Sequence, residues 1–341
     1  MATLKNVAQL AGVGLGTASR VVTGNGAVAP KTREKVQKAI DALGFQPSHA
    51  ARSLMLGNSQ TIGVYIPYLS GTFHTPILAR IYAELRAAKL NMVVAFGSGK
   101  VDDRNEVMDG IEFLTQRGSD GVIVLSNKLD DSDIAALGER AARLVVLNDS
   151  LAPIAERCFT VDHATGGRLA ARRIVELGHR DIAVITGPRD SPDNVERITG
   201  LLNELTDQGI DVDSLWVAES DFSPEGGRAT TEQLIASGYP FTALFCANDD
   251  MAIGALSALL RAGIPVPQQV SVLGYDDTYG GEFAAPRLSS VHMPWAEMTN
   301  NGLNCLLNLC YGGERPTDTT CEVTVTMRDS LGPVPEYKGQ E

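Results

Sequence analysis

The chain has 341 residues, of which 44% are hydrophobic and 6% aromatic, and its formal net charge is −12 at pH 7. This length exceeds what one hydrophobic core normally supports, so we expect several domains in a folded α/β protein. No apolar run approaches the ~20 residues that a membrane helix needs. Residues 1–16 contain no signal-peptide core, which favours a cytoplasmic protein.

The cysteines are odd in number and lack paired spacing or accompanying histidines. We therefore expect buried free thiols rather than a disulfide or metal site at Cys158, Cys246, Cys305, Cys310 and Cys321. No cofactor is expected either.

Charge is divided unevenly along the chain. Residues 1–60 contain 7 basic and 2 acidic side chains, a net charge of +5, whereas the remainder contains 22 basic and 39 acidic ones, a net charge of −17. A phosphate backbone would attract the basic part and repel the acidic part.

The first 45 residues predict three short helices. Residues 4–22 give two of them around a tight glycine turn, and residues 32–43 give the third. The side chains expected to form their common core are Val7, Leu10, Ala11, Ala18, Val21, Val22, Val36, Ala39, Ile40 and Leu43. This helix-turn-helix pattern is typical of a module that reads DNA.

From residue 61 onward, short β-branched runs alternate with helical ones, which predicts parallel sheets covered by helices. The expected strands are 61–66, 91–96, 121–125, 144–147, 181–186, 242–246 and 270–274, with a weaker one at 215–218. The expected helices include 77–89, 106–117, 166–177, 194–208, 226–235 and 251–262. This is too much for one sheet, so two subdomains with a cleft between them are expected.

Polar residues follow several of these strands, at the edge of the sheet where ligands of α/β proteins bind. Arg197, Asn248 and Asp276 are interpreted as contacts to a small polyhydroxylated ligand, because carboxylates and a guanidinium suit vicinal hydroxyls. Helix capping is the alternative interpretation for such residues. We favour capping for Asp249, Asp250 and Asp277.

Over essentially its whole length the chain resembles the LacI/GalR family of bacterial transcription regulators. The motifs that carry the resemblance are VAQLAGV (7–13), TASRV (17–21), RSL (52–54), ELGHRDIA (176–183), ER (196–197), NDDMAIGA (248–255) and GYDD (274–277). Residues 190–197 and 286–291 look most like the galactose and β-glucoside repressors.

The resemblance implies two DNA-contacting devices. Leu15, Gly16 and Arg20 match positions that reach major-groove base edges, and Thr17 and Ser19 suit phosphates. Residues 48–56 match a hinge helix that is too short to fold alone, whose DNA-contacting positions are Ser48, Ala51 and Leu54. Ser48 would be its N-cap and Leu54 a minor-groove wedge, with a surface charge at Arg20 and a core role for Leu54 as the alternatives.

Three residues depart from the family pattern. Gly14 and Ala29 stand where a capping side chain is usual, and Gly16 removes a base-contacting side chain. We therefore expect a headpiece less stable than those of its relatives, with Pro30 at a first helical position offsetting part of the loss.

In the cleft, the resemblance assigns effector contact to Phe73, His74, Asn148, Asp162, Arg197, Phe222, Asn248, Asp276 and Met293. The two phenylalanines could offer flat faces to a sugar ring or belong to the core. Asp162 could instead pair within the protein near His163.

The implied fold is an all-α helix-turn-helix headpiece (1–47), a hinge and linker (48–60) and a periplasmic-binding-protein-like core of two doubly wound parallel-sheet subdomains. We expect 61–161 with 293–322 in one subdomain, 162–292 with 323–331 in the other, and a tail at 332–341. The C-terminus lacks leucine heptads for a tetramer bundle, so a homodimer is expected.

The leading hypothesis is a repressor of a carbohydrate operon that a galactoside or glucoside releases from palindromic operator DNA. The alternatives are a ligand that acts as corepressor and a sugar-binding protein that does not bind DNA. An enzyme is not expected, because the glycine-rich residues 12–16 follow a helix, whereas a dinucleotide loop must follow a strand.

Overall fold

The computed structural model describes residues 2–24, 26–45, 53, 57–69, 72–98, 103–318 and 322–335. The hinge positions Ser48, Ala51 and Leu54 and the thiol of Cys321 lie outside the described residues, so their roles stay predictions. Among the described residues, no helix is both long and apolar enough to cross a membrane.

The first three helices form a headpiece with its own small core. They are α1 (Leu4–Ala11), α2 (Leu15–Thr23) and α3 (Pro30–Leu43). Thr3 and Asn6 form a capping box that begins α1, whereas no side chain caps α2 or α3. This confirms the prediction from Gly14 and Ala29 that α2 and α3 begin without a capping side chain.

The buried side chains of the headpiece are Val7, Ala8, Ala11, Ala18, Val21, Val36 and Ala39. The expectation for Leu10 is wrong, since this side chain is 57% exposed. The buried face of α1 is centred between Val7, Ala8 and Ala11, and at 100° per residue Leu10 falls beyond its rim.

Residues 57–335, hereafter the body, contain two sheets. The first comprises β1 (Thr61–Ile66), β2 (Asn91–Phe96), β3 (Gly121–Leu125), β4 (Leu144–Leu147) and β5 (Cys158–Phe159), in the order β2-β1-β3-β4-β5 and parallel throughout. Every residue of β1, β3 and β4 is buried, as expected for parallel strands covered on both faces.

The second sheet comprises β6 (Ile182–Thr186), β7 (Trp216–Glu219), β8 (Ala243–Cys246), β9 (Ser271–Asp276), β10 (Ser289–His292) and β11 (Thr324–Thr326). Their order is β11-β10-β9-β8-β6-β7, and only β11 runs antiparallel to its neighbour. This strand is short and forms an edge, where pairing with a returning chain is easiest.

The helices of the body are α4 (His74–Ala87), α5 (Arg104–Gln116), α6 (Asp131–Leu137), α7 (His163–Glu176), α8 (Pro192–Asp207), α9 (Pro224–Ser237), α10 (Asp249–Arg261), α11 (Tyr279–Glu282) and α12 (Trp295–Tyr311). Although α12 follows the second sheet in sequence, it packs on β3, β4 and β5 of the first. The chain thus crosses between the sheets more than once. Residues that follow strands of both sheets, such as Asn148 and Asn248, line one cleft.

Candidate functional site

The exposed face of α2 carries the side chains predicted to read bases. Leu15 is 55% exposed, Gly16 and Arg20 are exposed, and Thr17 and Ser19 are partly buried. A Cβ atom at Gly16 would meet nothing within 4 Å, so this position is open for a close approach. The core side chains Ala18 and Val21 occupy the opposite face and leave this surface free to contact a groove.

A cavity of about 500 Å³ lies where the strands of both sheets end. This size falls within the roughly 300–1,000 Å³ of small-molecule sites. Seven of the nine predicted effector residues line it, namely Phe73, His74, Asn148, Arg197, Phe222, Asn248 and Asp276. The structure therefore brings residues together that are up to 203 positions apart in sequence, as Phe73 and Asp276 are.

Arg197 is the buried cation of this cavity. It lies in the second turn of α8, and only 2% of the residue is exposed. Its guanidinium carbon lies 3.7 Å from the centroid of the Tyr275 ring, one Nη donates to the carbonyl oxygen of Ala247, and the other lies 3.8 Å from Asp193 Oδ2. Its Nε–H is buried without a hydrogen-bond partner among the described residues, so the guanidinium keeps one unused donor.

The charge of this guanidinium acts on two buried carboxyl groups, Asp193 and Asp276, whose surroundings differ. Asp193 accepts hydrogen bonds from Asn127 Nδ2 at 2.8 Å and from the Ser191 hydroxyl. Burial opposes the ionisation of Asp193, but the charge of Arg197 and the hydrogen bond from Ser191 are among the effects that outweigh it and hold the pKa of Asp193 below its usual value.

At Asp276 burial prevails. It raises the pKa of this carboxyl well above its usual range, with the charge of Arg197 opposing the shift. Within the described part of the chain, no group donates a hydrogen bond to the Asp276 carboxylate. A ligand that brings hydroxyl donors to this carboxylate would supply what the protein does not.

Behind these charges lies a neutral histidine. Burial, and then Arg197, lower the pKa of His163 to about 4. Its Nε2 lies 2.9 Å from Asn148 Oδ1, and its Nδ1 lies 3.3 Å from the Tyr275 hydroxyl. Because Nε2 faces an oxygen that only accepts, the proton resides on Nε2, which orients the Asn148 amide with its Nδ2 toward Asp193 at 3.4 Å.

The other predicted amide, Asn248, caps α10. Its Oδ1 accepts from the amide of Met251 and its Nδ2 donates to the carbonyl oxygen of Phe222, both at 2.9 Å. The ring of Phe222 rests on Gly187, where a Cβ atom would collide with it. Asn248 therefore fixes the backbone that presents the Phe222 ring to the cavity.

The capping interpretation of the three neighbouring aspartates is wrong, because Asn248 caps α10 and no side chain caps α11. Asp249 accepts from Thr278 and Ser290, and Asp250 accepts from Thr72. Asp277 accepts from His292 and Thr326 and forms an ion pair with Arg328. These carboxylates tie distant segments together instead.

Aromatic rings form another part of the cavity wall. The ring of Phe73 lies edge-on to Trp295 and His74, at centroid distances of 4.7 and 5.0 Å. Burial lowers the pKa of His74 to about 4, so its imidazole is neutral at physiological pH. His74 Nδ1 and Trp295 Nε1 are buried without hydrogen-bond partners among the described residues.

Besides the contacts of Asn148 with His163 and Asp193, further hydrogen-bonded links cross the cleft between segments that carry the two sheets. Lys128 Nζ lies 3.2 Å from Asp190 Oδ2, Asn127 donates to Asp193, and Thr72 Oγ1 donates to Asp250 Oδ1 at 2.8 Å. The two sides of the cleft are therefore held together by protein groups around the cavity.

Two predicted effector residues do not line the cavity. Asp162 caps α7, accepting from the amide and hydroxyl of Thr165 at 2.7 and 2.6 Å, and Met293 is 1% exposed within the core. The alternative partner proposed near His163 for Asp162 is thus Thr165.

Sequence reasoning missed Asp193, Lys128 and Trp295. A signal for Asp193 exists, since it precedes Arg197 by four residues on one helix face. Lys128 and Trp295 carry no such local signal.

Family profiles match two parts of the chain. The family described as bacterial regulatory proteins, lacI family, matches residues 3–48, and the periplasmic binding protein-like domain matches residues 171–331. The HTH-type transcriptional regulator AscG of Escherichia coli (strain K12) is 31% identical over 97% of this chain and 98% of its own length.

Solved structures extend the similarity to the fold. The lac repressor dimer bound to operator and the anti-inducer ONPF is 29% identical, with a TM-score of 0.82 over 97% of this chain and 99% of that one. The complex of the transcriptional regulator CelR with cellobiose is 30% identical, with a TM-score of 0.67 over 97% and 100%. The chain belongs to the lacI family of bacterial transcription regulators.

Proposed function

We propose that the chain is a homodimeric repressor of a carbohydrate operon that a sugar in the body cavity releases from operator DNA. The observation that carries the sugar is a cavity lined by the buried guanidinium of Arg197, by aromatic rings and by the Asp276 carboxyl group, which receives no hydrogen bond from the described residues. Vicinal hydroxyls can donate to the carboxylate and accept from Arg197, while the apolar face of a sugar ring packs on the aromatic rings. CelR, a relative of similar length, binds cellobiose.

The headpiece supports the DNA-binding part of the proposal. Arg20 is exposed on α2 and suits a bidentate contact with guanine. Leu15 offers only an apolar surface and Gly16 only backbone, which suits the methyl group of thymine and a close approach of the helix to the groove. The net charge of +5 over residues 1–60 favours phosphate contact and a steep salt dependence.

An exposed apolar face supports the homodimer. Tyr279 and Phe283 are 73% and 68% exposed with ring centroids 4.7 Å apart, and Leu260 on the adjacent α10 is 75% exposed. Apolar patches of this kind mark protein interfaces. A second copy covering them would form an isologous contact, which matches a palindromic operator.

The links across the cleft support the coupling. A sugar that contacts both walls would favour the closed cleft, and the change would reach DNA through the predicted hinge at 48–60. Such couplings are worth about 1–3 kcal/mol. The proposal includes a headpiece at 1–47, a hinge and linker at 48–60, one subdomain of 61–161 with 293–322, another of 162–292 with 323–331, and a tail at 332–341. It also includes a cytoplasmic location, because the chromosome is accessible there.

Operator release tests the proposal. Duplexes selected from a random pool by the full-length protein would be titrated by fluorescence anisotropy with and without D-glucose, D-galactose, D-ribose and cellobiose. We expect one sugar to weaken operator binding at least fivefold. Asp276→Asn should bind the operator as the wild type does and lose the response to the sugar.

Other outcomes assign the alternatives. A sugar that tightens operator binding would make the ligand a corepressor. Full-length protein that binds a sugar but retains no duplex at low salt would be a sugar-binding protein without DNA function, and the proposal would then be wrong.

A further inference from the structure

The cavity carboxyl group of Asp276 lies at the end of β9, where the backbone enters a turn with an unusual conformation. Asp276 and Asp277 have φ values of +100° and +55°. Residues with a Cβ atom rarely adopt this left-handed region, because Cβ approaches the neighbouring carbonyl oxygen. Such a conformation persists only where the surroundings hold it in place.

Asp249 supplies hydrogen bonds that hold the turn. Its Oδ2 accepts from the backbone amide and the hydroxyl of Thr278, at 2.6 and 3.1 Å. Its Oδ1 accepts from the hydroxyl of Ser290 at 2.6 Å, and the same hydroxyl oxygen accepts from the amide of Asp277 at 3.0 Å. One carboxylate thus secures the two residues after Asp276, one directly and one through a serine.

Burying the Asp249 carboxyl group costs free energy, so we infer that the residue has a specific role. The residue is fully buried, and burial raises the pKa of its carboxyl to about 7 against the opposing hydrogen bonds of Ser290 and Thr278. β9 has a glycine, Gly274, where a Cβ atom would collide with Asp249 Oδ1. The need for a helix cap does not explain this burial, because Asn248 caps α10.

We propose that Asp249 is a positioning residue for the ligand: it holds the turn at 276–278 so that the Asp276 carboxylate faces the cavity. Asp249 itself does not line the cavity. The inference rests on the proposed function, since it takes the cavity to be the sugar site. It assigns to Asp249 control over ligand affinity without ligand contact.

Hydrogen exchange in the full-length protein without ligand tests the structural step. Asp249→Asn replaces one accepting oxygen by an amide that cannot accept from Thr278 or Ser290. We expect the amides of Asp277 and Thr278 to exchange at least tenfold faster. Asp133→Asn is the matched control, because Asp133 is also buried and paired, here with Arg104 at 2.8 Å, but lies away from the cavity. Unchanged exchange in Asp249→Asn would overturn the proposal.

Calorimetric titration with the same four sugars tests the consequence. We expect Asp249→Asn to weaken the binding of whichever sugar the wild type binds about tenfold, equivalent to about 1.4 kcal/mol. Operator affinity without sugar should not change, and Asp133→Asn should stay within twofold of wild-type sugar affinity. Ser290→Ala, which removes one of the links, should cause a smaller loss in the same direction and serves where Asp249→Asn does not fold.

The outcomes separate the two proposals. If the wild type binds none of the sugars, the proposed function fails and the role of Asp249 fails with it. If the wild type binds a sugar and both Asp249→Asn and Ser290→Ala bind it equally well, only the positioning role is wrong.

Discussion

The headpiece and the body differ in the size of the side chains in their cores and in the capping of their helices. The buried side chains of the headpiece are only valines and alanines, whereas the body buries residues such as Tyr65, Tyr275 and Phe245. Side chains cap many helices of the body, among them α5, α6, α7, α9 and α10, but neither α2 nor α3. A small core with uncapped helices is marginally stable, so we expect the headpiece to be the less stable of the two parts and to gain stability when DNA is bound.

The largest change expected in the body comes from Arg197→Ala. It leaves the buried Asp193 without its guanidinium partner, and breaking a buried ion pair in this way costs about 3–5 kcal/mol of unfolding free energy. Denaturant unfolding followed by near-ultraviolet circular dichroism measures it. Arg197→Lys keeps the charge and should lose less; an equal loss in both would show that packing on Tyr275, and not charge, dominates.

In the headpiece, Ala29→Ser should raise the free energy of unfolding by about 1 kcal/mol, because the serine hydroxyl can accept a hydrogen bond from a backbone amide at the start of α3. Hydrogen exchange of the α3 amides measures the gain. Ala27→Ser, which makes the same change in an exposed residue before the helix, is the control and should have no effect. A gain as large in the control would refute the capping explanation.

A smaller, pH-dependent effect belongs to the body. The hydrogen bond to Asp277 raises the pKa of His292 above its usual value of about 6.5. The stabilisation is therefore complete below about pH 6.5 and is lost as pH rises through the raised pKa. Because the side chain is 42% exposed, we expect roughly 0.5 kcal/mol. Unfolding free energies of the wild type and His292→Gln should converge with rising pH; parallel curves would contradict this account.

The smallest effect is a gain of a few tenths of a kcal/mol from Gly14→Ser at the start of α2. The backbone there is ordinary, with φ of −67°, and nothing lies within 4 Å of the added Cβ. Gly12→Ser is the contrasting change, since φ of +65° makes it destabilising. The midpoint temperature of headpiece unfolding should rise for Gly14→Ser and fall for Gly12→Ser.

Much of the fold could be predicted because parallel strands buried on both faces are continuous apolar runs. The bounds of β1 to β4 agree with prediction residue for residue. The helices begin two or three residues earlier than predicted, since apolar periodicity starts about one turn after the polar cap, as at Asp103 and Asn248.

The site was predictable where polar side chains directly follow strands. Lys128 and Trp295 were not, because their place depends on how the two sheets meet across the cleft, and no local pattern encodes that. Asp249 shows the same limit within one motif. Its neighbour Asn248 caps the helix, and only the approach of the turn at 276–278 gives Asp249 a different partner.

The bonds between Lys128 and Asp190 and between Thr72 and Asp250 also bear on time. In the proposed function, a sugar bound between the two sides of the cleft would leave only when the cleft opens, so the rate of opening would set how long the complex lasts. Weakening either bond should then shorten the residence time. Repression would return after sugar depletion at a pace set by these bonds as well as by equilibrium affinity.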